Sequence, residues 1–480
     1  MAAGARRREQ THIKRTKMQR EIPLFVSGKP CACIVTPEGD DDLYDQGGLI
    51  SAFLEDIHGI ELPVLTCDEH AGGYRTRKFN VIALGDFSSN RVLRDLYVAG
   101  RHYVDRRFPG GRGHVVRTIC DPGSEGRSYV VIGGSTPAGL QNAVHAFCEL
   151  LVALGSRRNI PPTHLCVCEH DEEYALGAAE LSERIDRGLE ALSVGDSASA
   201  LDAAADAAVR YDVSGVPTWA RLFASILEAY AEASAEAGTP AVDASFDAAR
   251  WLWRLVPIWD NIAEFGAFSD AERDLLGLTL HSWSEWLFAR MRAEAPSRSG
   301  SGPGTWRDVA AGLGLVAAGR YFRTYYHVMA GREWVELGKA WIESASRAGR
   351  LMAECALDEC RAMDMTLSYA LRYQGGLQAD EADLLLFRER MLMALAAEPA
   401  PAAPSVSTEL EQHVGAVLRK AVFVTQSKRL RGETLGNATV LGGFHEDEPE
   451  AAPVRPRPPL AIPVSPKLRP WLRAQWPTDA

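Results

Sequence analysis

The stretch that decides the fold is Tyr129–Leu151, which reads YVVIGGSTPAGLQNAVHAFCELL. It begins as an apolar run typical of a buried strand and turns at the glycine pair 133–134 into a helix. Thr136 is placed to cap that helix, and Pro137 suits its first turn, where no N–H is needed. The apolar positions of the helix recur at helical spacing: Leu140, Val144, Phe147, Leu151 and Leu154. A strand that passes directly into an amphipathic helix predicts one unit of a layered α/β domain.

The same alternation extends over residues 23–160. Short apolar runs predict buried strands at Ile34–Thr36, Val64–Leu65, Val81–Leu84, His114–Ile119 and Tyr129–Ile132. Between them, apolar faces predict one helix that starts near Leu43 and another that runs from Val92 to Tyr103. We therefore predict a small α/β domain at residues 23–160.

Helical periodicity dominates residues 170–395, and we predict an all-α domain there. Ser269 and Glu272 have the spacing of a capping box, and Thr305 with Asp308 indicates a second helix start. Composition changes at both ends of the chain. Residues 1–22 form a basic arm and residues 396–480 a proline-rich tail, and we predict that both are mostly disordered.

Charge and composition exclude several classes of protein. The formal net charge is -11, whereas a general binder of nucleic-acid phosphates needs a basic surface. The sequence has no run of about 18 apolar residues, which a membrane helix requires. Nine cysteines without a secretory signal indicate reduced thiols. We therefore expect a cytoplasmic protein with no nucleic-acid and no membrane partner.

Two motifs contain residue types that are found in cofactor or metal sites. The glycines at 133, 134 and 139 do not have G-x-G-x-x-G spacing, and no Walker lysine follows them, so they favour a structural turn. The pairs Cys31/Cys33 and Cys166/Cys168 bracket the α/β domain, but their spacing is not that of structural zinc sites. We predict no cofactor and no metal.

The helical region is rich in aromatic residues, which suit either a core or a sugar-binding groove. The segment Tyr321–His327 also places three phenols, an arginine and an imidazole within two helical turns. A polysaccharide lyase needs such groups, because a base must remove a proton next to a uronate carboxylate and a donor must stabilise the enolate.

The order of these pieces resembles the heparinase II/III-like polysaccharide lyases. The resemblance rests on residues 80–151 for the α/β domain, and on Trp251–Leu287 and Thr305–Tyr326 for helices of an (α/α) toroid. It implies a small N-terminal α/β domain followed by an incomplete (α/α) toroid-like helical domain. Gly302-Pro303-Gly304 stands where the family carries an Asn-His pair, so the resemblance implies a degenerate or truncated member.

The function predicted from this resemblance is binding of, or β-elimination on, an acidic, uronate-containing oligosaccharide or polysaccharide, with weak or no catalysis. The predicted site residues fall into two sets. Proton transfer is assigned to Tyr325, Tyr326 and His327. Substrate binding is assigned to Trp259, Trp306, Arg323 and Glu354.

Two alternatives to the lyase prediction stay open. One is a non-catalytic helical scaffold that binds a protein partner through its C-terminal tail. The other is a glycoside hydrolase, for which Asp260, Glu264 and Glu285 are the candidate carboxylates.

Overall fold

The structure is a computed structural model. It describes residues 21–59, 61–73, 78–98, 101–105, 108–120, 126–154, 159–161, 165–168, 177–237, 247–298 and 306–347. The chain divides into two compact units. The first comprises Met1–Ala289 with Gly314–Glu336, and the second comprises Arg290–Leu313 with Leu337–Ala480.

The first part of the chain alternates strands and helices, as predicted. In order they are β1 (Ile22–Pro23), β2 (Phe25–Val26), β3 (Lys29–Pro30), β4 (Ala32–Thr36), α1 (Asp41–His58), β5 (Val64–Thr66), α2 (Cys67–Gly72), β6 (Asn80–Gly85), α3 (Arg91–Val98), β7 (His114–Ile119), β8 (Tyr129–Gly134), α4 (Pro137–Leu154), β9 (Asn159–Ile160) and β10 (Leu165–Cys168). All five predicted strands are present. The α/β part also extends beyond the expected limits, because Ile22 is buried in β1 and β10 joins the sheet after residue 160.

Six strands form one mixed sheet in the order β10-β7-β8-β6-β4-β5. The strands β5, β4, β6 and β8 are parallel, whereas β7 and β10 run antiparallel to their neighbours. Both faces of the sheet are covered. Ile34 on β4 joins a core with α1 and α4, while Val35 joins a second core with α3. This burial explains why the strands are apolar throughout and do not alternate.

The glycine-rich junction between β8 and α4 is a packed turn. The Thr136 hydroxyl accepts the Gly139 N–H at 3.1 Å, which confirms the predicted cap. Gly139 lies against the preceding loop so closely that an added Cβ would be 2.4 Å from the Gly113 carbonyl oxygen. Asn142 donates to the Arg112 carbonyl oxygen of the same loop at 2.9 Å. The structural interpretation of these glycines therefore fits the geometry.

The second part of the chain is helical. Its elements are α5 (Ala178–Ser193), α6 (Ser197–Ser214), α7 (Pro217–Ala237), α8 (Asp247–Ile262), α9 (Asp270–Arg298), α10 (Trp306–Tyr326) and α11 (Gly331–Arg347). The predicted capping box at α9 is confirmed, since the Glu272 N–H donates to Ser269 Oγ at 3.2 Å and the reciprocal bond is also present. None of the helices in the described ranges is long and apolar enough to cross a membrane.

One helix is shorter than predicted, and one predicted helix start lies outside the described residues. The helix expected to reach Tyr103 ends at Val98, and Tyr103 instead lies in the connection to β7. The helix start at Thr305 and both chain ends, residues 1–20 and 348–480, lie outside the described residues. The basic arm, the tail and a protein partner bound through the tail therefore stay predictions.

The packing around Gly139 predicts a change in stability. The substitution Gly139→Ala should lower the free energy of unfolding by about 1–3 kcal/mol, because the loop must move away from the new methyl group. Gly48→Ala on α1 is the matched control, since an added Cβ there meets nothing within 4 Å. That change should stabilise the protein by about 0.5–1 kcal/mol through helix propensity. Urea denaturation measures both, and equal effects at the two positions would contradict the packing argument.

Candidate functional site

The predicted proton-transfer residues lie together at the C-terminal end of α10, but they do not face the same way. Tyr325 is half-buried, Tyr326 is buried and His327 is exposed. His327 follows the last residue of α10 and has a φ of 53°, in the left-handed region that non-glycine residues seldom adopt. The turn it makes lets the Val328 N–H donate to the Phe322 carbonyl oxygen at 3.2 Å.

The burial of Tyr326 corrects its predicted role in proton transfer. The side chain is only 7% exposed, and its phenol end lies against Gly277 on α9. A Cβ at position 277 would be 2.1 Å from Tyr326 Oη, so the glycine leaves the space that the phenol occupies. The ring also contacts Phe322 at a centroid distance of 5.1 Å. Tyr326 thus packs as a core residue, a placement that does not favour its predicted role in proton transfer.

The structure describes the side chain of only one of the two tryptophans that were predicted to stack on sugar. Trp259 is fully buried and packs against Phe268 at 5.1 Å and Phe223 at 5.9 Å, so its assignment to sugar binding is corrected to a core role. Other tryptophans of the helical part are also buried at 2% exposure or less: Trp219, Trp251, Trp283 and Trp334. These indoles belong to the interior and do not line a groove.

Two further assignments are not described by the structure. Trp306 begins α10, but its side chain lies outside the described residues, as does the whole of Glu354.

Arg323 is exposed on the last turn of α10, as substrate binding requires. It belongs to a larger group of exposed basic residues that we call the basic face: Arg320, Arg323, His327 and Arg332. Arg320 and Arg323 are three residues apart, which places them on one side of the end of α10, and His327 follows in the turn after the helix. Arg332 is also close to this group, because its chain neighbour Gly331 packs against Arg323. A Cβ added at Gly331 would be 3.2 Å from the Arg323 Cβ.

A second polar group was not anticipated from the sequence and is centred on Asp212 of α6. Asp212 is fully buried, and its carboxylate forms an ion pair with Arg117 of β7, also buried. Tyr103 Oη donates to Asp212 Oδ2 at 2.7 Å, and Asn261 Nδ2 of α8 donates to the same oxygen at 2.8 Å. Arg101 extends the network with a hydrogen bond to Asn261 and an ion pair to Asp260, both at 2.7 Å.

This network joins the sheet to the helices and has the character of a structural element. Both carboxylate oxygens of Asp212 have donors, and Arg117 Nη1 also donates to the Asp212 carbonyl oxygen at 2.9 Å. Burying a charge is costly unless it is paired and hydrogen-bonded. The Asp212 carboxylate meets both conditions, whereas Arg117 is paired but its buried Nε has no hydrogen-bond partner among the described residues. A substrate would have to displace these contacts, so we do not assign chemistry to Asp212.

His102 lies next to this network and is also buried. The Val104 N–H donates to His102 Nδ1 at 3.1 Å, which leaves the proton on Nε2, 2.7 Å from the Leu93 carbonyl oxygen. Burial lowers the pKa of His102 to about 4, and the charge of Arg117 acts in the same direction. His102 is therefore a neutral core histidine at neutral pH.

Another buried histidine lies among the aromatic rings near the basic face. His281 on α9 is 8% exposed and contacts Phe322 of α10 at 5.0 Å and Trp334 of α11 at 5.4 Å. Its Nδ1 is 3.7 Å from Glu285 Oε2, while its buried Nε2 has no hydrogen-bond partner among the described residues. Burial lowers the pKa of His281, although Glu285 acts in the opposite direction.

The cysteine pairs cannot form one metal site. Three strands separate β10, which carries Cys166 and Cys168, from the β4 neighbourhood of Cys31 and Cys33. At about 4.8 Å between strands, the two pairs are roughly 19 Å apart. Across the described ranges, no group of three or more histidine, cysteine or acidic residues is arranged to hold a metal ion.

The carboxyl edge of the parallel strands is the usual ligand site of an open α/β sheet, at the point where the strand order reverses. Here that point lies between β4 and β6. The Asn90 amide nitrogen donates to the Val35 carbonyl oxygen at 3.0 Å and to the Leu84 carbonyl oxygen at 2.9 Å. Asn90 thus ties the two strands together at the position that a ligand would enter.

The hydrolase alternative gains little from the geometry. Asp260 is held by Arg101 in the network around Asp212, and Glu285 is 60% exposed beside His281. Glu264 is partly buried after the end of α8. Asp260 and Glu285 therefore have different partners.

Comparison with known proteins gives no family for this chain. Neither a scan against protein-family models nor a search of curated proteins finds a match.

The buried ion pair predicts a large loss of stability when its acid is removed. Asp212→Ala should lower the free energy of unfolding by about 3–5 kcal/mol, because Arg117 is left as an uncompensated buried charge. The control is Asp206→Ala on the same helix, whose partner Arg210 is near the surface, and it should change stability by less than about 1 kcal/mol. Similar losses for the two variants in urea denaturation would refute the structural role of Asp212.

His102 predicts how stability changes with pH. Its pKa is lower in the folded protein than in the unfolded chain, so only the unfolded state gains a proton between about pH 6.5 and pH 4. The free energy of unfolding should fall over this range by about 3 kcal/mol, at ~1.4 kcal/mol for each unit of pKa difference. The non-titrating variant His102→Gln should lose less stability on acidification. An identical pH dependence in the two proteins would show that His102 is not responsible.

Proposed function

We propose that this chain binds an acidic, uronate-containing oligosaccharide at the basic face. The observation that carries the proposal is the exposure of Arg320 and Arg323 in the last turns of α10, with exposed His327 in the turn that follows. A guanidinium group can form two parallel hydrogen bonds to a carboxylate, which makes arginine a suitable ligand for uronates. The chain has a net charge of -11, so a group of four exposed basic residues is a distinct local feature.

Nearby acids limit how such a ligand would be held. Glu333 and Glu336 are exposed on α11, close in sequence to Arg332. They reduce the positive potential at a distance, so attraction must come mainly from direct contacts and not from long-range steering. Binding should therefore depend on the position of individual arginines more than on total charge.

β-Elimination at the same face is the second candidate function. His327 is exposed in the turn that follows α10, four residues after Arg323, so the candidate base and the carboxylate ligand are close in the chain. Tyr325 is half-buried beside them. An exposed site is a weak catalyst, however, because solvent screens the charges that must stabilise the enolate. This is why we propose binding as the main function and catalysis as secondary.

The finer fold assignment is part of the same proposal. Successive helices pack on one another, with α6 contacting α5, α7 and α8. Such packing of serial helices is compatible with part of an (α/α) toroid. A heparinase II/III-like origin, with the basic face as a remnant of the substrate site, is consistent with this arrangement.

The proposal predicts that charge reversal at Arg323 removes binding. Titration calorimetry with a panel of uronate oligosaccharides should detect a ligand for the wild-type protein. Arg323→Glu should weaken that binding by about 10- to 100-fold, which corresponds to loss of a charged hydrogen bond worth about 1.5–3 kcal/mol.

The matched control is Arg187→Glu on α5, which makes the same change in net charge at an exposed side chain. It should leave the dissociation constant unchanged. Equal weakening by both variants would show that only net charge matters, and no binding to any oligosaccharide would refute the proposed function. Ultraviolet absorbance of unsaturated uronates, measured in parallel, tests the second candidate. Product formation that survives His327→Ala would exclude this histidine as the base.

A further inference from the structure

His281 lies beneath the two helix ends that carry the basic face. Its ring contacts Phe322, which lies between Arg320 and Arg323 in the sequence of α10, and Trp334, which comes two residues after Arg332 in α11. Phe322 and Trp334 also contact each other, with ring centroids 6.1 Å apart. The three rings form one cluster, so a change at His281 acts on both helices at once.

The helices α10 and α11 pack backbone against backbone next to this cluster, so a shift of one helix displaces the other. Their backbones cross at Gly319 and Gly331, where an added Cβ on either glycine would be within 2.7 Å of the other's carbonyl oxygen. The start of α11 also lies against Arg323. A packed interior responds to strain by switching between arrangements and not by continuous deformation. A change at the buried His281 is therefore transmitted through the helix crossing to the exposed basic face.

The groups around His281 determine what protonation would do. From its own helix, Glu285 approaches Nδ1 to 3.7 Å, but this carboxylate is largely exposed and is screened by water. From α10 and α11 the ring meets Phe322 and Trp334, which do not titrate. The buried Nε2 has no hydrogen-bond partner among the residues that the structure describes, so a proton added to the ring would be poorly stabilised.

We propose that His281 is a pH-sensitive switch for the basic face: its neutral form supports the packing of α10 against α11, and its protonation loosens that packing and weakens anion binding. Burial of His281, which lowers its pKa, agrees with this direction. Acidification therefore acts against binding, although it adds positive charge to the protein and would otherwise favour an anionic ligand. The switch predicts weaker anion binding at low pH, whereas added positive charge alone predicts stronger binding. The two explanations can therefore be distinguished by experiment. The part that concerns the ligand rests on the proposed function.

The test compares wild-type protein with His281→Leu, which has an apolar side chain of similar size and cannot titrate. Hydrogen–deuterium exchange of peptides covering residues 318–334 is measured at about pH 7.5 and about pH 5.5, a range in which histidine changes charge. After correction for the intrinsic exchange rate, protection of these peptides should fall on acidification in the wild type and stay constant in the variant. His281→Gln, which keeps a polar but neutral side chain, serves as the second variant if His281→Leu does not fold.

Affinity for a uronate oligosaccharide is measured under the same two conditions. It should fall on acidification in the wild type and not in the variant, because a histidine whose pKa is lower in the packed state favours the loosened state as it gains a proton. Identical pH dependence of exchange in wild type and variant would overturn the proposal. If exchange responds as expected but no oligosaccharide binds at either pH, the switch stands and the proposed function fails.

Discussion

The ion pair between Arg117 and Asp212 is the interaction on which the arrangement of sheet and helices depends. It connects β7 to α6 where both side chains are excluded from water. Two charges are expensive to bury, and the cost is offset only because Tyr103 and Asn261 satisfy the second carboxylate oxygen. This geometry requires the β7 strand, α6 and α8 to meet in one register. The α/β part is therefore anchored to the helices by directional contacts and not only by apolar packing.

The same closeness of packing decides where chemistry can occur. The indoles that gave the sequence its aromatic character, such as Trp259, fill the interior of the helical part, where large rings contribute most to burial. Tyr326 joins them because Gly277 leaves space for its phenol. Tyrosine and tryptophan side chains that could bind or process a sugar are thus used for packing. The exposed side chains in the last turns of α10 are charged.

Local features of the fold could be predicted from the sequence, whereas features that depend on distant contacts could not. The strand at His114–Ile119, the cap at Thr136 and the capping box at Ser269 are set by neighbouring residues, and all three are confirmed. Arg117 and Asp212 are far apart in the chain, and nothing near either residue indicates its partner. Their link requires the tertiary structure.

The misassignment of Tyr326 has a related cause, which lies in the composition of α10. Helical periodicity shows which residues share a side, but it identifies the inner side only when one side is polar. In α10 the residues from Asp308 to Gly319 are all buried, so the periodic signal is weak over most of the helix. Polarity returns only in its last turns, at Arg320 and Arg323. A helix that is buried over most of its length can present side chains to a ligand only at an exposed end. The contacts of its buried part then determine the position of that end.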